Sequence, residues 1–336
     1  PSDLNKLFGK FDRDGNGTFV EQTKLVPVDV ALNDWFGSSV SLGQDFLLAG
    51  SPNDRDFNGS VYVFDRQNNG TWLERTKLTV TPVTAIDAFG YAVSVSGNAT
   101  AITAHQPNDG NGTAYVFRRD ANGSWAQEAM LVASDGALQD AFGSSVAMDG
   151  ELVAVGANKA DAGGPDGGAA YVFRGDGSGN WTQEAKLTPI GHSPGDEFGG
   201  TVAVAGSVAL VGSKNGDGNG ADSGAAYVFR NDGNGNWTQE ARLDPPIAGS
   251  SQNFGSSVVL NGDYAVVGAP DAGTGGEVYL FRNEANSTTW KLAAIMGRSQ
   301  SVSGDSLGST VAMSEGIIFA GSPGDDRNGS EAGSGV

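Results

Sequence analysis

Two acidic loops carry the residues of this sequence that are best suited to bind a ligand. Residues 157–169 and 213–225 are the longest of a set of equivalent segments and are rich in Gly, Asp and Asn. Carboxylate and amide oxygens are the ligands that Ca²⁺ prefers. These loops are therefore predicted to bind a divalent cation, with Ca²⁺ as the expected ion, or a polar ligand; solvated turns are the alternative. The candidate binding residues are Asp161, Asp166, Asp217, Asn219 and Asp222.

Asn-x-Ser/Thr sequences form a second set of candidate sites. Such a sequence is the acceptor for N-glycosylation in secreted proteins. Several of them recur at equivalent hairpins of the repeat described below, which would place them on one face of the molecule. The sequence thus predicts a glycan-coated face on a secreted protein; accident in Asn- and Gly-rich turns is the alternative. The candidate acceptors are Asn16, Asn58, Asn69, Asn98, Asn111, Asn122, Asn180, Asn236, Asn286 and Asn328.

Three short motifs resemble known sites, but turns explain them better. Residues 304–308 match the nucleophile elbow Gly-x-Ser-x-Gly, yet no helix is expected after them, as that chemistry requires. Residues 174–176 read Arg-Gly-Asp on a predicted hairpin whose sister hairpins lack the tripeptide. Residues 12–17 begin like an EF-hand loop, but Thr23 stands where the last ligand, a glutamate, belongs.

No residue set in the sequence predicts catalysis. His105 and His192 are the only histidines, and the chain has no cysteine, so a zinc site is not expected and both histidines are assigned to loops. The acidic residues mostly recur at turn positions, and no acid/base pair stands out from them. The protein is therefore predicted not to be an enzyme.

The charge of the chain excludes two classes of partner. Asp and Glu outnumber Lys and Arg by 39 to 20, which gives a net charge of −19. Nucleic acid and anionic membranes would repel such a protein. No apolar run approaches the roughly 20 residues that a membrane span needs, so membrane insertion is not expected.

A repeat of about 53–56 residues organises the whole chain. A Phe-Gly or Leu-Gly pair is followed fourteen positions later by Gly in five repeats of six. An aromatic segment of the Val-Tyr-Val-Phe type comes next, then a polar turn, a Trp, and a Leu or Met six residues after the Trp. The pairs begin at Phe36, Phe89, Phe142, Phe198, Phe254 and Leu307.

Each repeat predicts four strands, because short alternating runs are separated by Asn, Asp and Gly. Four-stranded units repeated about an axis make a propeller. The predicted fold is a single all-β domain over residues 1–336, a six-bladed β-propeller of antiparallel blades that begin near residues 36, 89, 142, 198, 254 and 307. Residues 7–25 keep the spacing of strands 3 and 4 and are expected to complete the last blade, which closes the ring.

An aspartate recurs two residues before the Phe or Leu in five of the six repeats. A residue repeated in this way is expected to cap a turn rather than to catalyse a reaction. These aspartates are Asp34, Asp87, Asp140, Asp196 and Asp305.

The motif resembles the FG-GAP repeats of the integrin α-subunit head and of bacterial and algal surface proteins, and the resemblance covers nearly the whole chain. It implies an extracellular binding or structural module. Two features depart from the integrin head. That head has seven blades, and its calcium loops lie between the Phe-Gly and Gly-Ala-Pro strands, where this chain has tight turns such as Asp149-Gly150. The metal site of the family is therefore not carried over.

Three functions are compatible with these features. The first is an extracellular, non-enzymatic adhesion or structural module that is glycosylated and presents acidic loops to cations, glycans or surface proteins. The second is a self-assembling subunit of a filament or surface layer, in which the terminal half-blades pair between copies. The third is a polysaccharide lyase or hydrolase with carboxylates in the central funnel.

Overall fold

The computed structural model describes residues 8–13, 19–80, 88–105, 111–284, 287–298, 301–314, 316–326 and 333–335. The chain divides into two compact units, Pro1–Val132 and Ala133–Val336. Antiparallel β-structure dominates both units. Within the described ranges, a four-residue turn is the only helix, and no helix is long and apolar enough to cross a membrane.

The described residues of the first unit form ten strands and the helical turn. They are β1 (Phe8–Arg13), β2 (Phe19–Leu25), β3 (Val40–Leu42), β4 (Phe46–Ser51), α1 (Asp54–Phe57), β5 (Ser60–Arg66), β6 (Trp72–Leu78), β7 (Phe89–Ser96), β8 (Ala99–Ala104), β9 (Thr113–Arg119) and β10 (Trp125–Leu131). Strands β3–β6 form blade 1 and β7–β10 form blade 2, each a sheet whose strands pair in chain order. Strands β1 and β2 pair as a hairpin.

Fifteen strands lie in the described residues of the second unit. They are β11 (Phe142–Asp149), β12 (Leu152–Ala157), β13 (Ala169–Gly175), β14 (Trp181–Leu187), β15 (Thr201–Ala205), β16 (Val208–Ser213), β17 (Ala225–Asn231), β18 (Trp237–Leu243), β19 (Ser257–Asn261), β20 (Tyr264–Ala269), β21 (Glu277–Asn283), β22 (Trp290–Met296), β23 (Thr310–Ser314), β24 (Ile317–Ser322) and β25 (Ser334–Gly335). Blades 3, 4 and 5 are β11–β14, β15–β18 and β19–β22, and β23–β25 form a three-stranded sheet.

The middle strands of a blade are apolar on both faces because blades pack on both of their sides. All six residues of β12 are buried, as are all six of β16. The fourth strand lies at the edge of its sheet and carries charged side chains; β14 reads Trp-Thr-Gln-Glu-Ala-Lys-Leu. Charged edge strands oppose pairing with foreign strands.

Aromatic residues of the repeat fill the space between consecutive blades. Phe198, fully buried, lies with its ring centroid 5.5 Å from that of Tyr227 and 5.9 Å from that of Phe229. The same cluster contains Leu187 of the preceding blade. Truncation of a buried aromatic ring of this kind to Ala costs about 3–5 kcal/mol.

The pairing of the third and fourth strands is the same in every complete blade. A β-bulge shifts the register just before the Phe of the third strand, for example between Val172 and Phe173. The hairpin β1–β2 has the same irregularity between Lys10 and Phe11. Residues 8–13 and 19–25 therefore pair in the way that strands 3 and 4 of a blade pair, as the spacing predicted. That this hairpin completes the last blade stays a prediction.

The predicted fold class is confirmed: the chain is an all-β, six-bladed β-propeller of antiparallel blades. The strands could be predicted from the sequence because the same type of turn recurs in several repeats. Strands 1 and 2 are joined by tight Gly-containing turns in which Gly97, Gly150, Gly206 and Gly262 have φ near +57°, a conformation that glycine adopts without steric cost.

Candidate functional site

The motif residues join neighbouring blades within each of the two units. Thr201 Oγ1 in blade 4 donates to the carbonyl oxygen of Gly255 in blade 5 at 2.8 Å. A β-carbon on Gly212 would lie 2.1 Å from that oxygen, so only glycine permits this approach. Blades 1 and 2 repeat the contact, since Ser39 Oγ donates to Gly90 O at 2.8 Å. The residues that define the repeat are thus contacts between blades.

A second recurring glycine, three residues before the Tyr of the third strand, also links neighbouring blades. Gly168 forms a parallel β-bridge with Phe198 of the next blade. A β-carbon on Gly168 would lie 2.1 Å from the carbonyl oxygen of Phe198. Its fixed spacing from the Tyr, whatever the loop length, was the available sequence signal. The equivalent bridges are made by Gly59, Gly224 and Gly276.

The recurring aspartates cap the turns that lead into the blades. Asp196 Oδ2 accepts a hydrogen bond from Ser193 N–H at 2.8 Å, and its main-chain carbonyl accepts one from Ser213 Oγ at 2.8 Å. Burial raises the pKa of the Asp196 carboxyl. This geometry agrees with the predicted capping role. The same contact to the N–H three residues earlier is made by Asp34, Asp140 and Asp305, whereas Asp87 lies outside the described residues.

The two acidic loops fold on themselves through their own aspartates. Asp161 Oδ1 accepts the Asp166 N–H at 3.2 Å, and Asp217 Oδ1 accepts the Asp222 N–H at 3.0 Å. Asn219 turns its Nδ2 to a backbone carbonyl of the following segment, 3.3 Å away. Across the described ranges, no group of three or more His, Asp or Glu side chains is arranged to hold a metal ion. Calcium binding by these loops stays a prediction.

Each acidic loop rests on the segment that enters the next blade. His192 Nε2 lies 2.6 Å from the carbonyl oxygen of Ala162, and Glu197 N–H donates to Asp166 O at 3.1 Å. Lys159 Nζ also contacts the Glu197 carboxylate at 2.5 Å. His192, which was assigned to a loop, therefore fixes the position of a neighbouring loop.

The Arg-Gly-Asp tripeptide belongs to the structure of its hairpin. Arg174 is paired through two nitrogens with the Glu184 carboxylate on the next strand. Asp176 Oδ1 accepts the N–H and the hydroxyl of Ser178, both at 2.8 Å, and with Asn180 these donors lower the pKa of the Asp176 carboxyl. Both charged side chains of the tripeptide are thus engaged by their own hairpin.

The other two short motifs also lie in turns where they are described. Ser306, the nucleophile position of residues 304–308, has φ +58° and donates to Gly304 O at 3.3 Å; strand β23 follows instead of a helix. Of the segment 12–17, Asp12 and Arg13 end strand β1, and residues 14–17 lie outside the described part of the chain.

Seven of the ten candidate glycosylation sites lie in the described residues, and six of these seven asparagines are exposed. Asn58 is half-buried. Asn180 Nδ2 donates to Asp176 Oδ2 at 2.8 Å, and Asn236 Nδ2 donates to Asp232 Oδ2 at 2.8 Å. Asn16, Asn286 and Asn328 lie outside the described residues.

Three aromatic side chains of the first unit, not singled out by the sequence, are exposed among the described residues. The exposed fractions are 62% for Trp35, 52% for Phe57 and 41% for Tyr91. The ring of Tyr91 contacts that of His105, with centroids 4.4 Å apart, and burial lowers the pKa of His105. The available sequence signal was the departure of Trp35 and Tyr91 from the small or polar residues found at these positions in other repeats.

Comparison with known proteins places these features in a family. No curated protein matches the chain. The family model for the FG-GAP repeat matches residues 19–64, 72–117, 125–173, 181–229 and 237–281, which together make up more than half of the chain. Each matched segment consists of a fourth strand followed by the first three strands of the next blade, and so contains the inter-blade motif described above. The chain therefore belongs to the FG-GAP repeat family.

Proposed function

We propose that this protein is a non-enzymatic extracellular module with an adhesive or structural role, glycosylated on its surface hairpins. Its FG-GAP propeller supports a protein-interaction or structural role. The observation that carries the extracellular part of the proposal is the exposure of the sequon asparagines Asn69, Asn98, Asn111, Asn122, Asn180 and Asn236. Glycosylation acceptors must be reachable at the surface of a secreted protein.

Intact-mass measurement of protein from its native source tests this proposal. Enzymatic removal of N-glycans is expected to lower the mass by the sum of several glycans. An unchanged mass would end the glycoprotein proposal. If the mass falls, peptide mapping after glycan removal shows which asparagines were converted to aspartate and so had carried a glycan.

The hairpins predict a difference between the sites. Asn180 and Asn236 use Nδ2, the atom that would carry the glycan, to bind an aspartate of the same hairpin. Asn69 instead accepts hydrogen bonds through Oδ1 from Thr71 N–H and Oγ1, at 3.0 and 2.7 Å. We expect higher occupancy at Asn69 if attachment follows hairpin formation, and equal occupancy if it precedes folding.

The acidic loops are proposed to bind Ca²⁺ as part of this role. The support is chemical: in each loop the carboxylate of one aspartate accepts the backbone N–H of a second aspartate, which brings two acidic residues close together. Titration calorimetry with CaCl₂ at millimolar concentration tests it on the wild type and on Asp161→Asn with Asp217→Asn. Absence of heat from the wild type, with buffer dilution as control, would remove the cation proposal.

A self-assembling surface subunit is the second candidate. It is supported by two incomplete sheets in the described residues, the two-stranded β1–β2 and the three-stranded β23–β25, since unpaired strand edges recruit further strands. Native mass spectrometry across a dilution series would show oligomers that decrease with dilution. Uniform monomers at every concentration would exclude this candidate.

A further inference from the structure

A polar groove lies where the turns of blades 1 and 2 meet in the first unit. It is bounded by the turn β3–β4 and the hairpin β5–β6 of blade 1 and by the turn β7–β8 of blade 2. Its volume is about 800 Å³, which is within the range of roughly 300–1,000 Å³ found for small-molecule sites. The groove is called here the amide groove, because five of its lining residues are Gln44, Gln67, Asn68, Asn69 and Asn98.

The amide side chains define the kind of ligand that the groove can bind. Each carboxamide has an oxygen that accepts hydrogen bonds and a nitrogen that donates two of them. Neighbouring hydroxyl groups of a sugar need donors and acceptors in the same way. An apolar ligand would instead remove these amides from water without replacing their hydrogen bonds, which costs free energy.

The charges at the groove favour a neutral ligand. Asp45 and Arg66 are the charged residues of its lining, and their charges cancel. The Asp45 carboxylate accepts two hydrogen bonds from Arg119 Nη1, at 2.9 and 3.1 Å, so a cation would have to compete with this arginine. Arg66 is exposed and forms no ion pair with any described residue, which leaves its guanidinium free to donate to hydroxyl groups. A strongly acidic ligand would be repelled by the chain, which carries −19.

Hydrogen bonds between the turns hold the groove in one shape. Arg66 N–H donates to Asp45 O at 2.7 Å, which joins the hairpin of blade 1 to its turn β3–β4. Arg119 N–H donates to Asn98 O at 2.8 Å, and the side chain of the same arginine binds Asp45. Arg119 therefore connects the turns of the two blades. Groups that are fixed before binding lose less entropy when a ligand arrives.

Blade 1 departs from the repeat at the residues that form this groove. Gln44 stands where blades 2–5 carry glycine, and Gln67 stands where blades 2–4 carry an aspartate that caps its own hairpin. In blade 1 that cap is supplied by Asn69, whose Oδ1 accepts the N–H and the hydroxyl of Thr71 at 3.0 and 2.7 Å. The fold therefore does not require an amide at either position. The equivalents are Gly97, Gly150, Gly206 and Gly262 for Gln44, and Asp120, Asp176 and Asp232 for Gln67.

We propose that the amide groove binds a neutral oligosaccharide. Amide groups, a free guanidinium and a balanced charge are brought together on a fixed backbone, and each of these features suits hydroxyl groups. The inference deepens the proposed interaction role and rests on it, because it names a ligand class and a site. Asn69 and Asn98 also begin sequons, so a glycan attached at either asparagine would cover the groove.

Saccharide binding to the full chain, produced without N-glycans so that the groove is open, tests the inference. Saturation-transfer NMR titrations use neutral hexasaccharides of glucose, mannose and galactose at millimolar concentration, with a hexasaccharide of galacturonic acid as the acidic comparison. The groove variants are Asn98→Ala and Gln67→Asp, and the second one gives blade 1 the residue of blades 2–4, so the fold is expected to persist. The matched controls are Asn234→Ala and Asn234→Asp, at the exposed residue of blade 4 that is equivalent to Asn69.

At least one neutral hexasaccharide is expected to bind, and each groove variant should weaken this binding about three- to tenfold, whereas the Asn234 variants should leave it unchanged. Absence of binding by all three neutral sugars, or equal binding by groove variants and wild type, would overturn the inference. Tighter binding of the galacturonic acid hexasaccharide would overturn the assignment to a neutral ligand. The mass measurement above reports on glycosylation alone, so the proposed function and this inference can fail separately.

Discussion

Replacement of Glu184 by Ala should destabilise the second unit strongly, because this one carboxylate links two blades. Besides its pair with Arg174, Glu184 Oε1 on β14 accepts Asn231 Nδ2 at 2.7 Å and Trp237 Nε1 at 2.6 Å from blade 4. Only 13% of the Glu184 side chain is exposed, and Asn231 is buried at 7% exposure. The variant leaves both of these donors without their acceptor.

The magnitude follows from the two inter-blade hydrogen bonds. A hydrogen bond to a charged group contributes about 1.5–3 kcal/mol. The ion pair with Arg174 adds little, since 44% of the Arg174 side chain is exposed. We therefore expect Glu184→Ala to lower the free energy of unfolding by about 3–5 kcal/mol. Glu184→Gln keeps an acceptor oxygen and should cost about half as much.

Urea denaturation, followed by tryptophan fluorescence, measures these changes. The matched control is Glu284→Ala, which removes an ion pair with Lys291 whose two side chains are 50% and 62% exposed and should cost less than about 0.5 kcal/mol.

The effect should also depend on pH. The hydrogen bonds from Arg174 and Trp237 lower the pKa of Glu184 from its usual 4.5. A lowered folded-state pKa means that the carboxylate stabilises the fold above pH 4.5, and that this contribution disappears as pH falls through the lower folded value. The difference between wild type and Glu184→Ala should therefore shrink in acid. A loss no larger than that of the control, or one independent of pH, would refute the role of Glu184.

Three further predictions address single contacts. Gly212→Ala should cost more than about 3 kcal/mol in unfolding free energy, because the added β-carbon would lie 2.1 Å from Gly255 O. The control Gly200→Ala, whose nearest such contact is 3.4 Å, should cost under about 1 kcal/mol. Similar melting temperatures of the two variants would contradict this prediction. Asp196→Ala should cost about 1–2 kcal/mol in unfolding free energy, because the turn loses its cap. Asp196→Asn should be tolerated at pH 7, because burial raises the pKa of this carboxyl. Equal losses of the two variants on thermal melting would argue against the capping role. Trp237→Phe should cost about 1 kcal/mol more than Trp125→Phe in urea denaturation, because the buried Trp125 Nε1 has no hydrogen-bond partner among the described residues. Equal costs would contradict the Glu184 contact.

The repeat pattern alone does not predict which charged residues are shared between neighbouring blades. Arg75 in blade 1 occupies the position that Glu184 holds in blade 3. The charges of the pair are exchanged between these blades. In blade 1, Arg75 Nε lies 3.8 Å from Asp65 Oδ2, whereas blade 3 has Arg174 at the position of Asp65 and Glu184 at the position of Arg75. Arg119 of blade 2 in turn reaches Asp65 at 3.4 Å. The sequence shows each substitution separately, but only the packed blades show that they are coupled.

Some candidate binding residues could be singled out from the sequence, and others could not. Asp161 and Asp217 were singled out by loop length and composition, and the structure places each on the backbone of its own loop. Trp35 and Phe57 attracted no attention in the sequence because an aromatic residue in a β-rich chain is expected to be buried. Their exposure follows from backbone conformation and loop placement, neither of which has a periodic signal.

The sequence by itself determined the repeat, the four strands of each complete blade, the all-β propeller class and the capping role of Asp196 and its equivalents. These features depend on local turn chemistry and on spacing along the chain, and both are visible in the order of the residues. Only the tertiary structure decided that Gly212 and Gly168 are contacts between blades, that Glu184 is shared by two blades, and that the side chains of Trp35, Phe57 and Tyr91 are exposed. Such contacts join residues that are far apart in the chain, and their energies depend on distances that no single repeat specifies.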